Sequence, residues 1–427
     1  MTVQQDEISL PQKKINWDFW KYWTGQTISN LGSSVTLFAL PLLVYTISGS
    51  ALSLGISSAA NMLPYLFFGL VLGAWADRID RKRMMIYVDI ARASVIATIP
   101  LMAAFGHLSV WWIYGVGFVH TTLSICFDAG EFAAIPSLVD QNDLVTANGR
   151  IQASYSAASI LGPVLAGLLV AFVPLVVLVF LDAFSFLLSA LSIALIATSF
   201  NGLREETQER KHIARDVAEG LRYVWGHPVL RNISLMMALV NFVSAAQGAQ
   251  LVLFAKERLH ASNTQVGFLY TAGSIGVVIL ALLAGKLRKR WPFSKVALIA
   301  LMCNGLFILA LSFTRWYWLA LVFVGLLQGC GILFNINTGS LRQAIVPNHM
   351  LGRVMSIASV LAWSAIPLGA LLGGAIINQT HNVALVYSVA GVLVMLIPVG
   401  FLFTPLGRAE RYLPQTPLKP QSEASQK

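Results

Sequence analysis

The chain has 427 residues, of which 56% are hydrophobic and 11% charged, against roughly 25% charged in soluble proteins. That balance excludes a water-soluble globular fold and places most of the chain in a lipid bilayer. The formal charge of +10 would suit nucleic acid, but the basic residues fall between the apolar runs, so they set membrane topology and imply no nucleic-acid partner.

Residues 1–19 are polar and read as an N-terminal tail. The apolar stretch after Trp20 is too long for a signal-peptide core, so no cleavable signal is expected. Apolar runs of about 20 residues, the length that crosses roughly 30 Å of hydrocarbon, fall near 20–47, 51–76, 84–106, 110–137, 147–172 and 174–200. After a hydrophilic stretch they resume near 229–254, 263–286, 295–314, 316–346, 352–378 and 383–404. The reading is an all-α membrane protein: twelve transmembrane helices in two six-helix pseudo-repeats, 20–200 and 229–404, joined by a linker, 201–228, and followed by a disordered tail, 405–427. Within the linker Ile213, Val217, Leu221 and Val224 recur at helical spacing, opposite Arg215, Asp216, Glu219 and Arg222. This predicts an amphipathic helix on the membrane surface, clamping the halves together. Cys126, Cys303 and Cys330 lie inside apolar runs, as core residues do, and no metal or cofactor is implied.

Of 29 Lys and Arg, Lys256, Arg258 and Arg315 alone fall on the odd-numbered connections, with Arg92 assigned to the nearer even one. The positive-inside rule then predicts a multi-pass protein of the cell membrane with both termini in the cytoplasm. The halves also resemble each other: Gly117–Pro136 carries His120 and Asp128 where Gly325–Pro347 carries Gln328 and Asn335 at similar offsets.

Polar residues inside the spans are costly unless they face a cavity or a partner. His120, Ser124, Asp128 and Glu131 share one face of the fourth span, and Gln328, Asn335, Thr338 and Arg342 one face of the tenth. Gln26, Ser29, Asn30 and Ser33 do so in the first, and Asn241, Ser244, Gln247 and Gln250 in the seventh. Four stripes in equivalent spans of the two halves predict the lining of one central pathway. Interhelical hydrogen bonding in a packed bundle is the competing account of each. Asp128, Glu131 and Asp182, carboxylates within apolar runs, are the candidates for binding and releasing protons.

The connection after the second span reads Gly73-Ala-Trp-Ala-Asp77-Arg78-Ile-Asp80-Arg81-Lys82-Arg83. This resembles the signature loop of the major facilitator superfamily, with Trp75 and Asp80 in place of the usual Leu and second Gly. The resemblance implies that Gly73 permits close helix packing and that Asp77, with Arg78, Arg81 and Lys82 beside it, latches the halves by facing a helix N-terminus. Ala158-x-x-x-Gly162-Pro163-x-x-Ala166-Gly167 resembles the superfamily's antiporter motif, which implies export. Stretches such as Gly25–Gly32, Ala39–Val44, Asp89-Ile-Ala-Arg92 and Arg342–Pro347 are similar to the branch holding the enterobactin exporter and the macrolide efflux proteins. Where that branch often carries an acidic residue after the Leu-Gly of its first helix, this chain has Ser33.

No P-loop or His-x-x-x-x-Asp pairing is present, so neither an ATP-driven pump nor an enzyme is expected. The resemblance implies a monomeric secondary transporter exporting small amphipathic molecules such as drugs, macrolides or siderophores against a flow of protons. A lipid or lysophospholipid flippase of the same fold and a non-transporting membrane sensor are the alternatives.

Overall fold

The computed structural model describes residues 17–76, 79–140, 143–200 and 213–412. Polar residues at the starts of the apolar runs act as helix caps. Asp80 accepts from the Arg83 N–H at 2.9 Å, Ser109 from Trp112 at 3.3 Å and Asn382 from Leu385 at 3.0 Å, while Ser262 and Gln265 form a capping box. Asp80, which departs from the signature loop, is thus explained locally as the cap of the third helix.

The first half comprises α1 (Trp17–Ser48), α2 (Ala51–Ala76), α3 (Arg81–Ala104), α4 (Val110–Leu138), α5 (Leu144–Leu169) and α6 (Leu175–Ala194). The linker forms α7 (Ile213–Gly226). The second half comprises α8 (Pro228–Ala249), short α9 (Leu251–Glu257), α10 (Asn263–Arg290), α11 (Phe293–Phe313), α12 (Tyr317–Ile345), α13 (Asn348–Trp363), α14 (Ala365–Thr380) and α15 (Val383–Leu402). Twelve helices are long and apolar enough to cross a membrane, with α13 and α14 sharing one crossing. Pro367 lies four residues after Trp363 and cannot donate to its carbonyl, which accounts for the interruption at Ser364.

The packing repeats between the halves. Pairings α1 with α5 and α6, α2 with α4, and α3 with α4 and α6 recur as α8 with α14 and α15, α10 with α12, and α11 with α12 and α15. The most extensive pairings between the halves are α2 with α14 and α5 with α10. The face carrying the start of α1 and the end of α15 is called the terminal face here, and the other the far face.

Four expectations change. The seventh span breaks at Gln250, where φ is −100° and ψ 10°, and resumes as α9, whose Leu251–Ala255 are all buried. Arg288, Lys289 and Arg290 belong to the last turn of α10, where cations suit the helix dipole, instead of to a loop. Residues 405–412 form a short 3₁₀ segment instead of disordered tail: Leu406 and Ala409 are buried, and the Glu410 carboxylate accepts from the N–H and Oγ–H of Ser294 at 2.9 Å. The described part of α7 packs on the second half, Val224 against Leu230, Val346, Met350, Val354 and Ile357, instead of bridging both halves.

Candidate functional site: buried charges of the first half

Contacts joining the halves run from the far face to mid-depth. Near the far face Gly167 of α5 meets Gly267 and Thr264 of α10, Gly374 of α14 meets Ala51 and Leu52 of α2, and Gln250 Nε2 donates to the Ala51 carbonyl at 2.8 Å. Deeper, Phe38 packs edge-on to Tyr270, and Ser274 Oγ donates to the Ser159 carbonyl at 2.7 Å. At mid-depth Tyr65 of α2 packs against Trp363 of α13. From that level toward the terminal face Asp128, Tyr155, Gln328 and Asn335 are exposed on α4, α5 and α12.

The first half carries the charge. Asp128 is exposed and, among the described residues, takes no hydrogen bond. One turn further, Glu131 is 7% exposed and accepts from Tyr22 Oη at 2.7 Å and Tyr155 Oη at 2.8 Å, so three helices meet on one carboxylate. Asp182 is fully buried in α6. It accepts from Ser185 at 3.2 Å and Ser33 at 3.4 Å, and its Oδ2 has no partner. His120 packs at a tilt against Phe186, 5.5 Å between ring centroids, with its Nε2 unpartnered, as is Asn30 Nδ2.

A second buried cluster lies between α1, α3 and α6. Gln26 donates to Ser189 at 2.7 Å, Ser189 to Asp89 at 2.6 Å, and Arg92 pairs with Asp89 at 3.3 Å. Arg92 is 6% exposed and lies midway along α3, so it is an intramembrane cation and not a loop residue as the charge count supposed. Asp89, Arg92, Tyr22, Tyr155 and Ser189 are functional candidates the stripes missed. Opposite charges three residues apart inside an apolar run are the sequence signal for the first two.

The second half is nearly neutral at this depth. Arg342 is 5% exposed, with Nη2 3.0 Å from Met237 Sδ. Asn241 Nδ2 donates to the Ala362 carbonyl at 2.9 Å, tying α8 to α13, and Ser244 is half-buried beside it.

A family model described as transmembrane secretion effector matches residues 15–424. The chain belongs to this family of the major facilitator superfamily. It is 29% identical over 365 residues to the multidrug efflux pump Tap of Mycobacterium tuberculosis, covering 80% of this chain and 83% of that protein. It is 26% identical over 376 residues to macrolide efflux protein A of Streptococcus pyogenes, covering 84% and 90%. The nucleoside transporter NupG shares the fold at 13% identity and a TM-score of 0.73, over 91% of this chain and 98% of that one. So does a bacterial homologue of the human lysosomal transporter Spinster, inward-facing and occupied, at 12% identity and 0.72, over 94% and 98%. The protein is thus a multi-pass membrane transporter of a small molecule and not an enzyme.

In this chain the antiporter-like motif has two contacts. Gly162 packs against Ser34 of α1 within its half, whereas Pro163 and Gly167 meet Gly267 of the other half. In the signature loop Gly73 ends up within α2, and Asp77 and Arg78 lie outside the described residues. Lys82 Nζ donates to the Ile196 carbonyl at 2.5 Å and Arg81 Nη1 to that of Phe200 at 3.5 Å, so both hold the segment that follows α6 in their own half. Asp18 grips the same segment, accepting from the N–H groups of Ala197 and Thr198 at 3.0 and 2.9 Å.

Several stripe residues make packing contacts in the structure. Thr338 is 1% exposed and bonds the Phe334 carbonyl of its own helix at 2.9 Å. Gln26, Ser29 and Gln247 are buried, Gln26 by its bond to Ser189. Ser124 Oγ bonds the His120 carbonyl of its own helix at 3.0 Å.

Proposed function

We propose that this transporter exports small, amphipathic, predominantly cationic molecules from the cytoplasm in exchange for protons, working as a single chain by alternating access. The single observation that carries the reading is the exposed Asp128, with the other intramembrane carboxylates of the described residues, Asp89, Glu131 and Asp182, in the same half. An exposed carboxylate with no internal partner attracts an organic cation and equally a proton, and competition between the two is the simplest coupling. Basic residues at the terminal face support a cytoplasmic placement of that face in the cell membrane. The joined far halves of the helices then make this an inward-facing form, able to load substrate. The efflux relatives Tap and macrolide efflux protein A support drug-like and macrolide substrates.

A cleft of about 170 Å³ between α2 and α13, lined by Met62, Tyr65, Leu66, Gly69 and Trp363, favours a second reading, a single-chain lipid entering from the bilayer. Inverted vesicles test both. Accumulation of ethidium and erythromycin that collapses with the pH gradient supports drug export; accumulation of a lysophospholipid alone supports the second reading, and transport of none contradicts both.

A further inference from the structure

Arg92 is a buried cation with more donors than partners. Its guanidinium lies over the rings of Phe127 and Phe186, 4.4 and 5.3 Å from their centroids, and Asp89 is its ion-pair partner at 3.3 Å. Its Nε is buried without a partner, although a guanidinium has five N–H groups to place and an unsatisfied buried polar atom is costly. The charged and titratable groups around the Asp89–Arg92 pair come from every neighbouring helix: His120, Cys126, Asp128 and Glu131 on α4, Asp182 on α6, Tyr65 on α2, Tyr155 on α5 and Tyr22 on α1.

These acceptors are of two kinds. Asp89 and Glu131 are held by fixed donors, Ser189 on the first and two tyrosines on the second. Asp128 takes no hydrogen bond among the described residues, and Asp182 has a buried oxygen without a partner. Arg92 lies over Phe127, next in sequence to Asp128, and over Phe186, one turn along α6 from Asp182, so a buried cation with spare donors neighbours two carboxylates with spare acceptors, one exposed and one sealed inside the bundle.

We propose that Arg92 is the positioning residue that couples the cavity to the bundle interior, staying on Asp89 while Asp128 holds a substrate cation or a proton and turning its free donors to Asp128 or Asp182 when either is bare. This rests on the proton-exchange reading above. The only bonds that change are carboxyl O–H bonds: a proton arrives from water at one face, attaches to a carboxylate oxygen and leaves to water at the other. A bare carboxylate then never stays unpaired in the apolar bundle, and the first half can change conformation with its charge balanced.

Proteoliposomes carrying the full chain test this, with ethidium as the probe. Two rates are measured, gradient-driven accumulation and counterflow without a gradient, together with the pH profile of ethidium binding. In Arg92→Gln the ratio of driven to counterflow transport falls about tenfold, within the 5–150-fold range of coupling between sites, and the pH profile of binding is displaced. Arg92→Lys restores the ratio, and the double variant Asp89→Asn/Arg92→Gln, which removes the pair together, stays uncoupled. An unchanged ratio in Arg92→Gln, or equal loss of both rates that Arg92→Lys does not rescue, overturns the proposal. Wild-type accumulation indifferent to the gradient would instead overturn the proton-exchange reading beneath it.

Discussion

Gly167 and Gly267 bring α5 and α10 into backbone contact near the far face: a Cβ on Gly267 would sit 2.8 Å from the Gly167 Cα and the Pro163 carbonyl oxygen. At this point the seal between the halves is made of main chain, which can part and re-form without repacking long side chains.

Overfilling this contact opens it. Gly267→Leu adds a side chain where none fits, at a cost of about 1–3 kcal/mol, enough to shift a two-state balance by roughly 5- to 150-fold. A Ser159→Cys reporter, with Cys126, Cys303 and Cys330 replaced by Ser, is expected to react with an impermeant maleimide added at the far face much faster in Gly267→Leu than without it. Equal labelling would show that the glycine contact does not hold the gate.

The two tyrosines on Glu131 are expected to separate. Tyr22 is fully buried, so Tyr22→Phe lowers thermal stability by about 1.5–3 kcal/mol, the usual worth of a hydrogen bond to a charged group. Tyr155 is 37% exposed. Tyr155→Phe is expected to slow ethidium efflux with little change in unfolding temperature, and thermal unfolding beside efflux rates reads both.

Asp18 is expected to act on folding alone. Its carboxylate takes the Ala197 and Thr198 N–H groups, the Thr198 hydroxyl at 2.7 Å and Lys21 at 2.9 Å. Asp18→Asn weakens these charge-assisted bonds and lowers stability by about 2 kcal/mol. Efflux per folded molecule, measured against protein level, stays the same.

His227 caps α8, its Nδ1 accepting from the Leu230 N–H at 3.4 Å, and burial holds its imidazole below the ordinary 6.5. The unfolded chain binds the proton more readily, so this contribution to stability is complete above 6.5 and is lost as pH falls below it. Unfolding temperatures from pH 5 to 8 should show the decline, and His227→Asn, which caps without titrating, should reduce it.

The twelve spans were legible because each apolar run is long enough to cross a bilayer and is bounded by capping residues such as Asp80, Ser109, Ser262 and Asn382. The site was less so. A polar stripe says that Gln26, Ser29, Asn30 and Ser33 share a face, but Gln26 turns out to face Ser189 inside the bundle, since packed helices and cavities use the same residue types. Arg92 was lost for another reason: it lies close in sequence to the basic run Arg81–Arg83, and a count of charges by connection absorbs it. Gln250 sits at a helix break, which periodicity through an unbroken run does not reveal.

The central claim is that Asp128 is where substrate cation and proton compete. The most direct measurement is ethidium efflux driven by an imposed pH gradient in vesicles, wild type beside Asp128→Asn. The account predicts gradient-dependent efflux in the wild type and its loss in the variant, by about tenfold or more as for other coupled sites. Efflux that responds to the gradient equally in both would contradict it.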